Sequence, residues 1–295
     1  MSVSQTVLMD LPDDILLLIL AGTDTLSKLS LRQCCKQFRQ LVDSSVIRFE
    51  LLTTRLKTDG EVQLKLSLSP EESVSVEFRP HTSGFFVVNY SEDWEKIVEN
   101  KDHIAGAVKH LLKVLRNPKF LVERLVVDFR SGSFLRPNTI DQFNDKQKKL
   151  IEQIREGLRR FNHKISAGQF QIYFWGGNQN DILSILPFLK PRTLESIFIH
   201  NVRYRSAELD YNIHLDEVAE LEQWKHAKEL HLMNYNLVLP LDKWSHFHES
   251  RVRVECLSLD DVKTMVEAST TKQFATTLLN LTKNKNEEHC NFRTL

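Results

Sequence analysis

Cysteine, glycine and proline are scarce in this 295-residue chain, at four, nine and eight residues. Four cysteines cannot frame a disulfide scaffold, and so little glycine and proline excludes collagen-like and low-complexity chains. Net charge is missing as well: 39 Lys and Arg balance 39 Asp and Glu. No global field therefore pulls the protein toward nucleic acid or anionic membrane, although a local patch still could. Long apolar runs are absent. The longest spans residues 15–21, far below the ~18 residues a membrane helix needs. Its upstream flank holds Asp10, Asp13 and Asp14 and no Lys or Arg, the wrong sign for a signal peptide. The expected compartment is reducing, cytoplasmic or nuclear, with cysteines as thiols. The sequons at Asn89 and Asn280 are then chance matches.

Catalytic signatures are also lacking. There is no phosphate-binding Gly-x-x-x-x-Gly-Lys run and no Gly-x-Ser-x-Gly elbow. Gly176-Gly177 lacks the third glycine and a following Lys-Ser, so it reads as a turn. Cys34 and Cys35 are adjacent in a helical pattern and cannot bridge each other without strain; one of them is expected in the core. His246 and His248 straddle Phe247 on what reads as an extended segment, but no Cys or carboxylate motif completes a zinc set. Lys146, Lys148, Lys149, Arg155, Arg159, Arg160 and Lys164 outnumber Glu152 and Glu156; such a face is usually solvated, with an acidic partner or RNA as the alternative. Phe170, Tyr173, Phe174 and Trp175 could stack bases, yet on an alternating strand half of them belong in a core.

Helical and strand patterns fill the chain. Pro12 suits the start of a helix, Asp13 and Asp14 sit at its positive end, and Gly22 is a natural stop. A second helix is expected from Ser27, with Leu31, Cys34, Cys35, Phe38, Leu41 and Val42 on one face. Over residues 51–100, Val62, Leu64, Leu66 and Leu68 alternate with polar residues, as do Val74, Val76 and Phe78, and residues 85–88 are apolar. These are strand signals. A helix-then-strand rhythm follows: helices over 103–116, 141–162, 182–189 and 218–227, and strands over 124–129, 169–175, 194–199, 230–233 and 252–256. Ser258 and Asp261 resemble a capping box that opens one more helix. About five units at irregular spacing suggest an α/β solenoid of leucine-rich type, whose units share one core. A closed α/β domain with a conventional sheet is the alternative.

The run from Ile15 to Leu20 is apolar on every face of a helix, so one neighbouring helix cannot cover it. Either residues 51–100 cover the remainder or it is a docking surface for another protein. Here the sequence resembles a known family. Leu11-Pro12-Asp13-Asp14-Ile15-Leu16, then Ile19-Leu20, Leu29, Leu31-Arg32, Cys34-Cys35-Lys36, Phe38-Arg39 and Leu41, are similar to an F-box. Thr23 and Lys28 depart from the pattern, standing where the family usually has leucine. Leu189-Lys190-Pro191-Arg192-Thr193-Leu194-Glu195-Ser196-Ile197, with Glu222-Gln223-Trp224-Lys225-His226-Ala227-Lys228 and residues 247–262, resemble the FTH domain of a nematode-type F-box family, the F-box A family.

The resemblance implies a substrate-recognition adaptor of a Skp–cullin–F-box (SCF) ubiquitin ligase. The partners would be a Skp-type linker subunit, through it a cullin, and an unidentified protein target. Leu11, Pro12, Asp13, Ile15, Leu16, Ile19, Leu20, Leu31, Cys35 and Phe38 would meet the linker. Such an adaptor needs no catalytic residue, cofactor or metal, since it works by raising the effective concentration of a target near ubiquitin. The competing reading is a ligase-independent interaction scaffold with a degenerate F-box, motivated by Thr23 and Lys28. The expected architecture is mixed α/β: an F-box over 1–50, a β-rich segment over 51–100, a leucine-rich-repeat-like FTH region over 101–283 and a flexible tail over 284–295.

Overall fold

A computed structural model describes residues 11–23, 25–44, 46–90, 94–130, 139–202 and 212–254, with 263, 277–278, 290–291 and 293–294. The mixed α/β class is the one found. Three short helices open the described chain: α1 (Asp13–Gly22), α2 (Thr25–Cys34) and α3 (Lys36–Ser44). They lead into β1 (Ile47–Leu56) and four further strands, β2 (Val62–Ser67), β3 (Ser73–His81), β4 (Gly84–Asn89) and β5 (Trp94–Glu99). Then come α4 (His103–Leu115), β6 (Phe120–Asp128), α5 (Ile140–Leu158), β7 (Ser166–Phe174), α6 (Gln179–Leu183), β8 (Ser196–Asn201) and β9 (Asn212–His214). The short helices α7 (Asp216–Ala219) and α8 (Glu222–His226) precede β10 (Glu229–Val238) and β11 (Glu249–Val254).

One twelve-stranded sheet organises the molecule. Strand β1 is its seam: antiparallel to β2 on one side, parallel to β6 on the other. Strands β2 to β5 continue as an antiparallel meander, with the expected alternation of buried and more exposed residues clearest in β4. The tight turn before β2 is closed by Gly60, whose φ of 87° favours a residue without Cβ. On the other side β6, β7, β8, β10 and β11 lie parallel in chain order. Successive units are laced at the strand entrances, where Glu195 N–H donates to Gly168 O (2.7 Å), Lys228 N–H to Glu195 O (2.7 Å) and His248 N–H to Lys228 O (2.7 Å). Each such bond satisfies a backbone group that burial would otherwise leave unpaired.

The main core lies on one face of this sheet. Ile104, Val108 and Leu111 of α4, and Phe143, Leu150, Ile151 and Ile154 of α5, pack with Leu125, Val127, Phe170, Ile172, Ile197 and Leu230. The periodicity expected for α5 is the one buried. Gly157 lets Leu112 press against the α5 backbone, where a Cβ would meet Leu112 Cδ1 at 2.0 Å.

Three expectations are corrected. The helix foreseen from Ser27 to Val42 is two helices, broken at Cys35, and it begins at Thr25 rather than at a Ser27 cap. Residues 182–189 hold only the end of α6 and a single 3-10 turn at Leu186–Phe188, since Pro187 supplies no N–H. The stretch 218–227 is two short helices, interrupted where Leu221 turns extended before α8. Cys256 and the Ser258–Asp261 capping box lie outside the described residues. So does most of 284–295, of which β12 (Cys290–Asn291) pairs antiparallel with Arg253 and Val254.

Candidate functional site

The site begins at the start of α1. Pro12 has φ −55° and ψ 148°, and its carbonyl accepts the N–H groups of Ile15 (3.0 Å) and Leu16 (3.0 Å). Proline fits there because it need donate nothing itself. Asp13 accepts a hydrogen bond from Gln37 Nε2 (3.0 Å), which ties the helix start to α3. At the other end the Thr23 hydroxyl donates to Ile19 O (2.6 Å) and the Thr23 N–H to Leu20 O (3.2 Å), closing the last turn.

Leu16 and Leu20, one helical turn apart, are 0% and 1% exposed. They join Phe38, Leu41, Val42, Ile47 and Phe49 in a small core separate from the main one. Leu11, Leu31 and Cys35 pack on its margin. Cys35 Sγ accepts the N–H of Phe38 (3.4 Å), so the thiol caps the helix that begins just after it. That bond explains the break: Cys35 leaves the helical ladder yet keeps its sulfur against the core. Cys34 is exposed.

The rest of α1 is uncovered. Leu18 is 69% exposed, Leu17 40%, and Ile15 and Ile19 39% each. At roughly 100° per residue, Ile15, Leu18 and Ile19 form one contiguous stripe, with Leu17 on the opposite flank of the buried pair. Leu66 and Leu68 of the β-rich segment and Phe120 of β6 pack on the small core, and Phe49 meets Phe120 edge-on at 5.1 Å. Of the ten residues expected to face a partner, Leu16, Leu20 and Phe38 are interior and support the surface from beneath. Pro12, Asp13, Ile15 and Ile19 are exposed, and Leu11, Leu31 and Cys35 are half-buried. Leu17 and Leu18 were left out of that set. Their exposure follows from the all-apolar run once Leu16 and Leu20 are assigned inward.

The other candidates resolve into structure. Phe170 and Phe174 are buried while Tyr173 and Trp175 are half-buried, the alternation of a strand with one core face. His246 sits in a turn with Nε2 3.0 Å from Trp224 O, not on a strand face. No group of three or more metal-ligating side chains exists among the described residues. Lys149 pairs with Asp102, and Arg155 and Arg159 with Glu152 and Glu156. Gly176, at φ 69°, forms a turn.

Family models match at both ends of the chain: an F-box domain over residues 8–50 and an FTH domain over residues 148–293. The chain is an F-box protein with an FTH domain. No curated protein and no solved structure gives a significant match. The F-box covers α1 to α3 and the start of β1, so β1 belongs at once to the F-box and to the sheet. Lys119 Nζ donates to Ser44 O, a further tie between the two. The FTH motif residues bind neighbouring units together. Gln223 Nε2 donates to Pro187 O (3.0 Å) and Leu189 O (2.6 Å), and the buried Trp224 donates through Nε1 to Lys243 O (2.7 Å). An F-box points in general to an adaptor of SCF-type ubiquitin ligases, whose F-boxes bind Skp-type subunits and through them cullins. No helix among the described residues is long and apolar enough to cross a membrane.

Proposed function

We propose that this protein is a substrate-recognition adaptor of an SCF ubiquitin ligase. Its α1 stripe docks on a Skp-type linker subunit, and the region beyond residue 101 holds the target. The observation that supports this most is the solvent-facing set Ile15, Leu17, Leu18 and Ile19 on a helix anchored by two fully buried leucines. Burying what remains exposed would contribute on the order of 1 kcal/mol per side chain. The ten residues from Leu11 to Phe38 form the docking unit, some in contact and some as scaffold.

In this reading residues 1–50 are the F-box and 51–100 the connecting β segment. Residues 101–283 are a leucine-rich-repeat-like target region. The chain itself supplies no chemistry; it brings a target lysine close to ubiquitin carried by another subunit. A cytoplasmic or nuclear location follows from that role. Lys28, half-buried in α2 where the F-box pattern has leucine, favours a second reading, a scaffold whose F-box keeps its fold without a ligase partner. Capture of a purified Skp-type subunit by the full chain at micromolar concentration decides between them. The adaptor reading requires binding, and requires that Leu11→Ala with Pro12→Ala sharply weakens it. Stable partners recovered without any cullin would favour the scaffold.

A further inference from the structure

The entrances of β6, β7, β8 and β10 lie side by side along one edge of the sheet. Lys190 N–H donates to Ile165 O (2.8 Å) and Ile165 N–H to Phe188 O (2.9 Å), which joins the connections before β7 and β8. His163 Nε2 lies 3.3 Å from Leu115 O, which joins the first of these connections to the end of α4. Residues 116–123, 159–168, 188–198 and 227–229 make up this edge. They carry eight Lys or Arg against Glu123, Glu195 and Glu229, a surplus of five in a chain with no net charge.

Three of the eight cations are engaged. Arg159 pairs with Glu156 of α5 (2.8 Å), Lys228 pairs with Glu195 (2.7 Å), and Lys119 donates to Ser44 O. Arg116, Arg160, Lys164, Lys190 and Arg192 are exposed and form no ion pair among the described residues. Of the other carboxylates, Glu229 accepts from Ser196 Oγ (2.6 Å) and Glu123 stands exposed on β6. Arg116 and Arg160 complement the carbonyl ends of α4 and α5. Lys164 and Lys190 stand outside any helix and Arg192 in a single 3-10 turn, so helix dipoles do not account for them.

We propose that this edge binds single-stranded nucleic acid without sequence preference, chiefly through its phosphates. The claim does not rest on the adaptor reading. Charge selects a polyanion, and two further observations select nucleic acid over an acidic protein. The connections from Arg116 to Arg192 hold no exposed large hydrophobic side chain. Protein interfaces enclose an apolar core, whereas nucleic-acid interfaces are more polar and far more positive. In the middle of the row, Phe161 and His163 stack with ring centres 5.2 Å apart and planes within 9°, and both are half-buried. A stacked ring pair beside a row of cations is what an unpaired base can extend while its phosphates meet Lys and Arg.

The test is fluorescence anisotropy of a labelled oligouridine of about 20 nucleotides, titrated with the full chain from about 50 mM salt upward. Five phosphate contacts predict that log K falls with log salt at a slope of about −3.5. The triple variant Lys164→Ala, Lys190→Ala, Arg192→Ala changes exposed positions only, and retained thermal melting checks that it folds. It should bind at least about tenfold more weakly, with a slope near about −1.4. A control, Lys96→Ala with Lys101→Ala, on β5 and just before α4, should bind as the parent does. An oligoglutamate of equal charge should bind at least about tenfold more weakly than oligouridine, having no bases to stack. No binding of oligouridine, equal loss in the control, or an unchanged slope in the triple variant overturns the proposal. So does equal binding of oligoglutamate, or binding of phosphatidylserine vesicles without oligouridine.

Discussion

Arg32 and Asp43, eleven residues apart, meet through two hydrogen bonds of 2.6 and 3.2 Å across the gap between α2 and α3. In one straight helix their Cα atoms would be separated by about 16 Å along the axis. The pair therefore exists because the chain breaks at Cys35. Both side chains are part-exposed, so Arg32→Ala should lower stability by only about 0.5 kcal/mol in urea unfolding. Loss of several kcal/mol would show that the pair holds the F-box helices together.

Leu16 and Leu18 should separate folding from docking. Leu18→Asp changes an exposed position and should leave the melting temperature nearly unchanged. It should weaken capture of a Skp-type subunit at least about thirtyfold, roughly 2 kcal/mol. Leu16→Ala should instead cost about 2–5 kcal/mol of stability by opening a cavity in the small core. Calorimetry and titration binding on the same two variants check both statements.

Asp128 links the sheet to pH. Burial raises its pKa, but hydrogen bonds from the Arg130 side chain and backbone, with the charges of Arg130 and Arg55, bring it below the ordinary carboxylate value. A carboxylate depressed in the folded state contributes stability that is complete above its unfolded pKa of about 3.9. That contribution is lost as pH falls through the lower folded value. Asp128→Asn should thus destabilise the protein by about 2 kcal/mol at pH 7 and flatten the acid limb of its stability profile. An unchanged acid limb in the variant would show that other groups set it.

Trp224 tests the lacing of the FTH units. It is fully buried and meets Phe247 edge-on at 5.0 Å. Trp224→Ala should cost about 3–5 kcal/mol. Hydrogen exchange should then rise in β10 and β11 before it rises in β2 to β4, which belong to the antiparallel half.

Much of this architecture was legible. The strands at Val62–Ser67 and Ser73–His81, and the buried stripe of Ile140–Leu158, follow from residue spacing, because period 2 and period 3.6 are local properties of a backbone. Strands β1 and β5 were not foreseen. Of β1, Leu52 packs in the main core and Phe49 in the small one, so apolar residues on both faces blur the alternation. In β5 the pattern Trp94-Glu95-Lys96-Ile97-Val98-Glu99 is that of an edge strand, mostly exposed, with no core to impose a period. The gap at Cys35 was hidden because its apolar spacing continues through the break.

The sequence by itself determined the secondary structure of most segments, the all-apolar first helix and the motifs that mark the F-box and FTH regions. Each of these depends on neighbours within a few residues. Only the tertiary structure decided that Leu16 and Leu20 face inward while Leu18 faces water, and that β1 serves both halves of one sheet. Those outcomes depend on contacts between residues tens of positions apart, which packing selects from the many pairings that local pattern allows.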